Sequence, residues 1–178
     1  MNTIGVDIGG TKVKAGIIDQ DGHLLTQIEE KTNKQDLKTQ LLSMVECLLK
    51  QGHCEIQGIG IATAGRVNVE EGLIHFATSN LPGWTGTRVR ELVEERFGLP
   101  AVVDNDANCA AYAEMEIGSA TQDRHFICIT LGTGIGAGII INGKLHRGEN
   151  GGAGEIGHMV FEPGGRLCNC GKRGCWEQ

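Results

Sequence analysis

A short internal repeat is the feature that most limits what this chain can fold into. Residues 11–18 read TKVKAGII and residues 133–140 read TGIGAGII, so Thr, Ala, Gly and two Ile match without a gap. Each copy follows an apolar segment that ends in glycine, and each precedes a turn at Gly22 or Gly143. Repetition of this kind predicts two related units that begin with the same hairpin. The alternative is that two apolar hairpins match by chance, because the repeat is short.

Hydrophobic periodicity predicts strands and helices that alternate around these hairpins. The predicted strands cover residues 3–8, 12–19, 23–30, 56–64, 101–104, 125–131 and 135–141, and the predicted helices cover 34–51, 85–97 and 107–117. This order predicts an α/β fold with a mixed sheet. The repeat predicts a first domain over residues 1–119 and a second over 120–178. Because no further helix–strand–helix run follows the second copy, we expect the second domain to be incomplete and truncated.

Charge and cysteine content exclude several functional classes. The net charge is -6, which makes the chain a poor general binder of nucleic acid. No run approaches the ~20 apolar residues that span a membrane, and the first residues lack a signal-peptide pattern. We therefore expect a cytoplasmic protein with reduced thiols. Seven cysteines argue against a disulfide framework, and Cys47, Cys54, Cys109 and Cys128 are expected to be small buried residues.

Two glycine-rich turns are candidate phosphate-binding loops. Glycine lets backbone N–H groups approach an anion closely, threonine can donate a hydroxyl hydrogen bond, and lysine supplies positive charge. The first turn follows Asp7, a carboxylate that can hold Mg²⁺ through water. The residues concerned are Gly9, Gly10, Thr11 and Lys12 in the first turn and Gly132, Thr133 and Gly134 in the second. The alternative for each is an ordinary glycine hairpin.

A carboxylate follows the predicted strand at residues 101–104. Asn105 and Asp106 stand where this strand ends and a helix begins, which is the edge at which α/β sheets bind ligands. Asp106 can accept a proton from a substrate hydroxyl that attacks a phosphate. The alternative is that Asp106 only caps the helix, since Asp is a favoured N-cap residue.

A cluster near residue 170 has the composition of a metal site. His158, Cys168, Cys170 and Cys175 supply the ligands of a closed, tetrahedral, structural zinc site. Such a site would hold the surrounding glycine-rich loop and orient Glu155, His158 and Glu177. The alternatives are free thiols and a nucleic-acid zinc knuckle, which the acidic composition and the lack of stacking aromatic residues disfavour.

Six motifs occur along the chain in a fixed order: DIGGTK, LPGW, NDAN, LGTGIGAG, GEIGHM and CNCGKRGCWE. Together they resemble the ROK family of sugar kinases and sugar-responsive repressors, from Ile4 to Glu177. The resemblance implies the actin/hexokinase-like fold of two ribonuclease H-like domains. Ala64-Gly65 stands where family members often carry Pro-Gly, and family members are longer than this chain.

The resemblance also implies roles for individual residues. Asp106 corresponds to the catalytic base that activates the sugar 6-hydroxyl, and the zinc ligands correspond to the four already named. The implied sugar ligands are Asn80, Asn105, Asp106, Glu155, His158 and Glu177. The implied nucleotide contacts are made by the two glycine-rich turns, and the implied cofactors are ATP, Mg²⁺ and structural Zn²⁺. The resemblance implies a homodimer or homotetramer.

The function expected from these residues is glucokinase-type phosphorylation of a hexose by ATP. N-acetylmannosamine and β-glucosides stay open as substrates. A sugar-responsive regulator is the alternative from another class, but the first predicted strand lies at the start of the given sequence, so we expect no DNA-binding domain. A scaffold that lacks activity is disfavoured because Asp106 and both glycine-rich turns are present.

Overall fold

A computed structural model describes residues 1–51 and 55–178. These residues form two compact units. Unit 1 contains residues 1–77 and 81–106, and unit 2 contains residues 78–80 and 107–178. The domain boundary expected between residues 119 and 120 stays a prediction.

Unit 1 contains a mixed five-stranded sheet formed by β1 (Asn2–Ile8), β2 (Lys12–Ile18), β3 (Leu24–Lys31), β4 (Ile56–Thr63) and β7 (Ala101–Asn105). Their order across the sheet is β3-β2-β1-β4-β7. The first three strands form an antiparallel meander, and β4 and β7 extend it in parallel on the other side of β1. The α/β fold class with a mixed sheet is therefore confirmed.

One apolar cluster forms the core of unit 1. Alternate residues of β1 and β2 point into it, because side chains along a strand alternate between the two faces of a sheet. Helix α1 (Leu37–Lys50) contributes one face at helical spacing, namely Leu37, Leu41, Met44, Val45 and Leu48. Asp36 caps this helix by accepting a hydrogen bond from the Thr39 N–H, so α1 begins later than the predicted residue 34.

Two local features of unit 1 differ from the prediction. A small hairpin of β5 (Arg66–Asn68) and β6 (Leu73–Phe76) follows β4, where the sequence predicted no strand. Helix α2 (Val89–Phe97) begins four residues after the predicted start at residue 85, because the preceding segment forms hydrogen-bonded turns around the buried Trp84. The helix ends at Gly98, as predicted, and Gly98 adopts a left-handed conformation.

Unit 2 is built on a three-stranded sheet with the order β10-β9-β8. The strands are β8 (Phe126–Leu131), β9 (Ile135–Ile141) and β10 (Lys144–Leu145). Helix α3 (Asp106–Glu116) packs on β9, where a Cβ at Gly138 would overlap the side chain of Ala111. Glycine in β9 thus allows a helix to approach the sheet closely. A single 3₁₀ turn (Ile156–His158) lies in the loop that follows.

Both copies of the sequence repeat form an antiparallel hairpin. Ile8 pairs with Val13 next to the first turn, and Leu131 pairs with Ile135 next to the second, so the strand pairs correspond although the second turn is one residue shorter. Equivalent apolar residues differ in burial, however. The inward residues of β1, Ile4, Val6 and Ile8, are buried, whereas their counterparts in β8, Ile127, Ile129 and Leu131, are exposed. Helix α1 packs in the same apolar core as the first hairpin. Among the described residues, no α-helix follows the second hairpin.

This difference predicts unequal effects of one substitution at two equivalent positions. Ile4 is fully buried and Ile127 is 59% exposed. Ile4→Ala should lower the free energy of unfolding by about 2–5 kcal/mol, because it leaves a cavity. Ile127→Ala should change it by no more than about 0.5 kcal/mol. Urea-induced unfolding followed by circular dichroism measures both, and equal losses would contradict the structure.

The three isolated cysteines that the structure describes are less buried than expected. Cys47 is exposed on α1, and Cys109 and Cys128 are only partly buried, so the prediction of buried residues was wrong for Cys47. Its position lies on the outer face of the helix, between the buried residues Val45 and Leu48. Cys54 lies outside the described residues. Among the described residues, no helix combines the length and the apolar character that a membrane crossing requires.

Candidate functional site

The first glycine-rich turn joins β1 to β2 in unit 1. The Gly9 N–H donates to the Lys12 carbonyl at 3.0 Å, and the Thr32 hydroxyl donates to the Gly9 carbonyl at 2.7 Å. The Gly9 N–H is therefore already used within the turn. The Lys12 ammonium forms an ion pair with Glu29 on β3, and this pairing lowers the pKa of Glu29. An anion held by Lys12 would compete with that carboxylate.

The second glycine-rich turn joins β8 to β9 in unit 2 and closes in a similar way. The Gly132 N–H donates to the Gly134 carbonyl at 3.0 Å. A Cβ added at Gly134 would lie 2.5 Å from Oε2 of Glu177. Within unit 2, the predicted phosphate loop is therefore next to a predicted sugar ligand.

Asp7 lies at the end of β1, directly opposite Lys14 on β2. Burial raises the pKa of the Asp7 carboxyl, and the Lys14 ammonium opposes that rise. Carboxylate oxygen is the type of ligand that Mg²⁺ prefers, so Asp7 suits the predicted role.

Asn105 and Asp106 lie where β7 ends and α3 begins. Thr63 on β4 pairs with both Ile8 and Asn105, so three strands end side by side. The Asn105 amide Nδ2 donates to the Gly65 carbonyl at 2.9 Å, which fixes the orientation of this side chain. Asp106 is the first residue of α3, which begins one residue before the predicted start at residue 107.

The four predicted metal ligands come together in unit 2. The ligand atoms of His158, Cys168, Cys170 and Cys175 all lie within 4.8 Å of one another. The Cys170 and Cys175 sulfurs are 3.6 Å apart, and the Cys168 sulfur is 3.6 Å from His158 Nδ1. Tetrahedral zinc with its usual bond lengths requires separations of about 3.8 Å between sulfurs and about 3.5 Å between sulfur and nitrogen. The observed spacing fits a closed zinc site.

Burial raises the pKa of the Cys168 thiol to about 12, and the hydrogen bond that this thiol donates to Glu177 at 3.1 Å adds to the rise. A metal ligand must be the thiolate, so metal binding here would release a proton.

Three predicted sugar ligands of unit 2 lie in or beside the group of predicted metal ligands. The Glu177 N–H donates to the Gly157 carbonyl at 3.1 Å, which places Glu177 beside His158. The Glu177 carboxylate is 3.6 Å from His158 Nδ1, and the Glu155 carboxylate is 3.9 Å from His158 Nε2. Three of the predicted sugar-binding residues are therefore neighbours, and His158 presents its two ring nitrogens to different carboxylates.

The segment that carries these residues lies against β9. The Ala137 N–H donates to the Gly154 carbonyl at 3.1 Å. A Cβ at Gly157 would overlap the Ile135 carbonyl, so only glycine fits at this approach. Asn80 belongs to the short segment 78–80 of unit 2, where its N–H donates to the Thr78 hydroxyl at 3.4 Å.

The close approach at Gly157 predicts a local loss of structure. Gly157→Ala should destabilise unit 2 by about 1–3 kcal/mol, because the methyl group meets backbone that cannot move aside easily. Gly60→Ala is the matched control, because the nearest atom to its added Cβ, the Ile4 carbonyl oxygen, is 4.0 Å away. Amide hydrogen exchange of residues 154–177 measures the effect. Equal protection in both variants would contradict the packing described here.

Comparison with known proteins identifies the family. The model of the ROK family matches residues 3–178. The chain belongs to the ROK family. A ROK family glucokinase from Streptomyces griseus, solved with glucose and AMPPNP, matches the whole chain with a TM-score of 0.92 and 42% identity. The actin/hexokinase-like fold expected from the sequence is thereby confirmed.

Individual relatives in the ROK family have different substrates. The glucokinase of Streptomyces coelicolor is 47% identical over 178 residues, which cover 99% of this chain and 55% of the relative. The N-acetylmannosamine kinase of Citrobacter koseri is 34% identical over 177 residues, which cover 99% of this chain and 60% of the relative. The chain covers 56% of the S. griseus structure. It thus spans a little over half the length of these ROK proteins.

Proposed function

We propose that this ROK protein transfers the γ-phosphate of ATP to the 6-hydroxyl of a hexose. The observation that carries the proposal is the similarity of the entire chain to a glucokinase that binds glucose and AMPPNP. The positions of the proposed site residues support it. Asn105 and Asp106 lie where β7 ends and α3 begins, and Glu155 and Glu177 lie next to His158 on one loop segment.

In the proposed reaction, Asp106 accepts the proton of the sugar 6-hydroxyl as the oxygen attacks the γ-phosphate in line. Asn105 orients the sugar through an amide that Gly65 holds in place. Asn80, Glu155, His158 and Glu177 bind other sugar hydroxyls. Phosphoryl transfer depends mainly on positioning and charge neutralisation, so these contacts carry much of the catalysis.

The two glycine-rich turns are proposed to contact the nucleotide phosphates. Thr11 and Thr133 supply hydroxyl donors. Lys12 supplies positive charge when its ammonium group leaves the Glu29 carboxylate and binds the phosphate instead. Mg²⁺, held through Asp7 and the phosphates, would neutralise negative charge on the transferred group. The zinc ion is proposed to be structural, because four protein ligands leave no open position.

A panel of sugars tests this proposal. The protein expressed from its intact gene is mixed with Mg-ATP and with glucose, mannose, N-acetylmannosamine or a β-glucoside, and ADP release is measured. Glucose-dependent ADP release is expected. Preference for N-acetylmannosamine would favour the second candidate, which the similarity to the C. koseri kinase supports. No release with any sugar would reject the kinase.

A further inference from the structure

A buried tryptophan forms a hydrogen bond with the last residue of the central strand β4 in unit 1. Trp84 is only 1% exposed, and its indole Nε1–H donates to the Thr63 hydroxyl at 2.9 Å. Thr63 is fully buried. A hydrogen bond between two buried side chains fixes both partners, since an unpaired indole N–H or hydroxyl there would be costly.

Thr63 occupies a central position among the predicted site residues. It ends β4, between Ile8 of β1 and Asn105 of β7. Its hydroxyl accepts from Trp84 and donates to the Ala64 carbonyl at 3.2 Å. The Ala64 N–H in turn donates to the Ile8 carbonyl at 3.1 Å. These hydrogen bonds together fix the backbone at Thr63 and Ala64.

The next residue, Gly65, connects this network to the predicted sugar ligand. Gly65 has a φ of 108°, and a Cβ there would overlap the Phe76 carbonyl, so its backbone conformation is confined to glycine. Its carbonyl accepts the hydrogen bond from Asn105 Nδ2. The direction of the Gly65 carbonyl therefore sets the orientation of the Asn105 amide.

We propose that Trp84 is a positioning residue for the sugar: through Thr63 it holds the Ala64-Gly65 backbone, and through the Gly65 carbonyl it orients Asn105. The inference rests on the proposed function, because Asn105 is the proposed sugar ligand. The hydrogen bond from the amide nitrogen to Gly65 fixes the plane of the Asn105 amide, and this plane sets the direction in which the amide meets a sugar hydroxyl.

The test is a double-mutant cycle on glucose binding, measured by calorimetry. Trp84→Phe keeps an aromatic ring in the core and removes the N–H donor. Loss of one neutral hydrogen bond should weaken glucose binding by roughly 3- to 10-fold. In an Asn105→Ala background the same substitution should have no further effect on binding. Equal effects in both backgrounds would mean that Trp84 only supports the fold, and the proposal would fail.

Substitutions at Thr63 provide a second, independent comparison. Thr63→Val removes the hydroxyl without a change of shape and should reproduce the effect of Trp84→Phe. Thr63→Ser keeps the hydroxyl and should retain binding close to that of the parent. If Thr63→Ser weakens binding as much as Thr63→Val, the hydroxyl is not the relevant group and the proposal is overturned.

A spectroscopic readout separates this proposal from the proposed function. If the parent protein does not bind glucose, the kinase proposal is in doubt, but the Asn105 side-chain amide signals in a ¹⁵N NMR spectrum still report on its hydrogen bond. Trp84→Phe and Thr63→Val should shift these signals. Thr3→Val, a matched removal of an exposed hydroxyl near the other end of β1 in unit 1, should not. Unchanged Asn105 signals in the first two variants would overturn the proposal.

Discussion

Cys170→Ser is expected to weaken zinc binding roughly 100-fold and to weaken sugar binding as well. A structural zinc site contributes about 10–16 kcal/mol through four ligands, so the loss of one ligand should cost about 3 kcal/mol, or roughly 100-fold in metal affinity. His158 is itself a predicted zinc ligand, and the carboxylates of Glu155 and Glu177 lie within 3.9 Å of its ring nitrogens. They should lose their fixed positions when the metal leaves, and so should their contacts with the sugar.

Zinc content of the purified protein, measured by inductively coupled plasma mass spectrometry, checks this prediction together with glucose affinity. Cys47→Ser is the matched control, because Cys47 is exposed on α1 in unit 1 and belongs to no ligand group among the described residues. It should keep one zinc ion per chain and normal affinity. If the parent protein carries no zinc and Cys170→Ser binds glucose normally, the cysteines are simply free thiols.

Asp106→Asn is expected to reduce kcat by about 10²- to 10⁴-fold, because an amide cannot accept the proton of the attacking hydroxyl. The substitution preserves size and hydrogen-bonding capacity, so the KM for sugar should change far less than kcat. Steady-state kinetics with glucose and Mg-ATP separates the two constants.

A matched control distinguishes catalysis from helix capping. Asp36 caps α1 through the Thr39 N–H at 3.1 Å, and Asn caps helices about as well as Asp. Asp36→Asn should therefore change stability by no more than about 0.5 kcal/mol and leave kcat unaltered. If Asp106→Asn behaves in the same way, Asp106 is only a cap.

Features that depend on neighbouring residues in the chain were predictable from the sequence. The β1–β2 and β8–β9 hairpins follow from alternating apolar residues and glycine turns, and the structure has both. Three cysteines within eight residues and a nearby histidine predicted a ligand cluster, and the four ligand atoms do come together. The placement of Asp106 at the start of α3 also follows from local pattern.

Features that depend on tertiary packing were not predictable. The LPGW motif marked Trp84, but nothing local shows that its indole bonds to Thr63, 21 residues earlier. The pairing of Lys12 with Glu29 depends on the register between β2 and β3. The exposure of Cys47 depends on which face of α1 meets the core. Because apolar residues surround Cys47 in the sequence, their pattern did not show that Cys47 lies on the outer face.

The internal repeat correctly predicted a hairpin in each unit, but equivalent residues of the two hairpins differ in burial. Ile4 and Ile127 occupy corresponding positions, yet one is buried and the other is exposed. Burial depends on what covers a sheet face, and α1 covers the first hairpin as part of the core of unit 1. A repeated sequence therefore specifies the strands and their register, whereas the surrounding elements determine how strongly each residue contributes to stability.

The most direct test of the kinase assignment is phosphorus NMR of the protein from its intact gene, mixed with Mg-ATP and glucose. A hexose kinase that uses the 6-hydroxyl should produce a phosphomonoester signal that two carbon-bound protons split into a triplet, and Asp106→Asn should nearly abolish it. A spectrum in which ATP stays intact, or yields only inorganic phosphate, while glucose still binds would contradict the kinase and identify a sugar-binding protein instead.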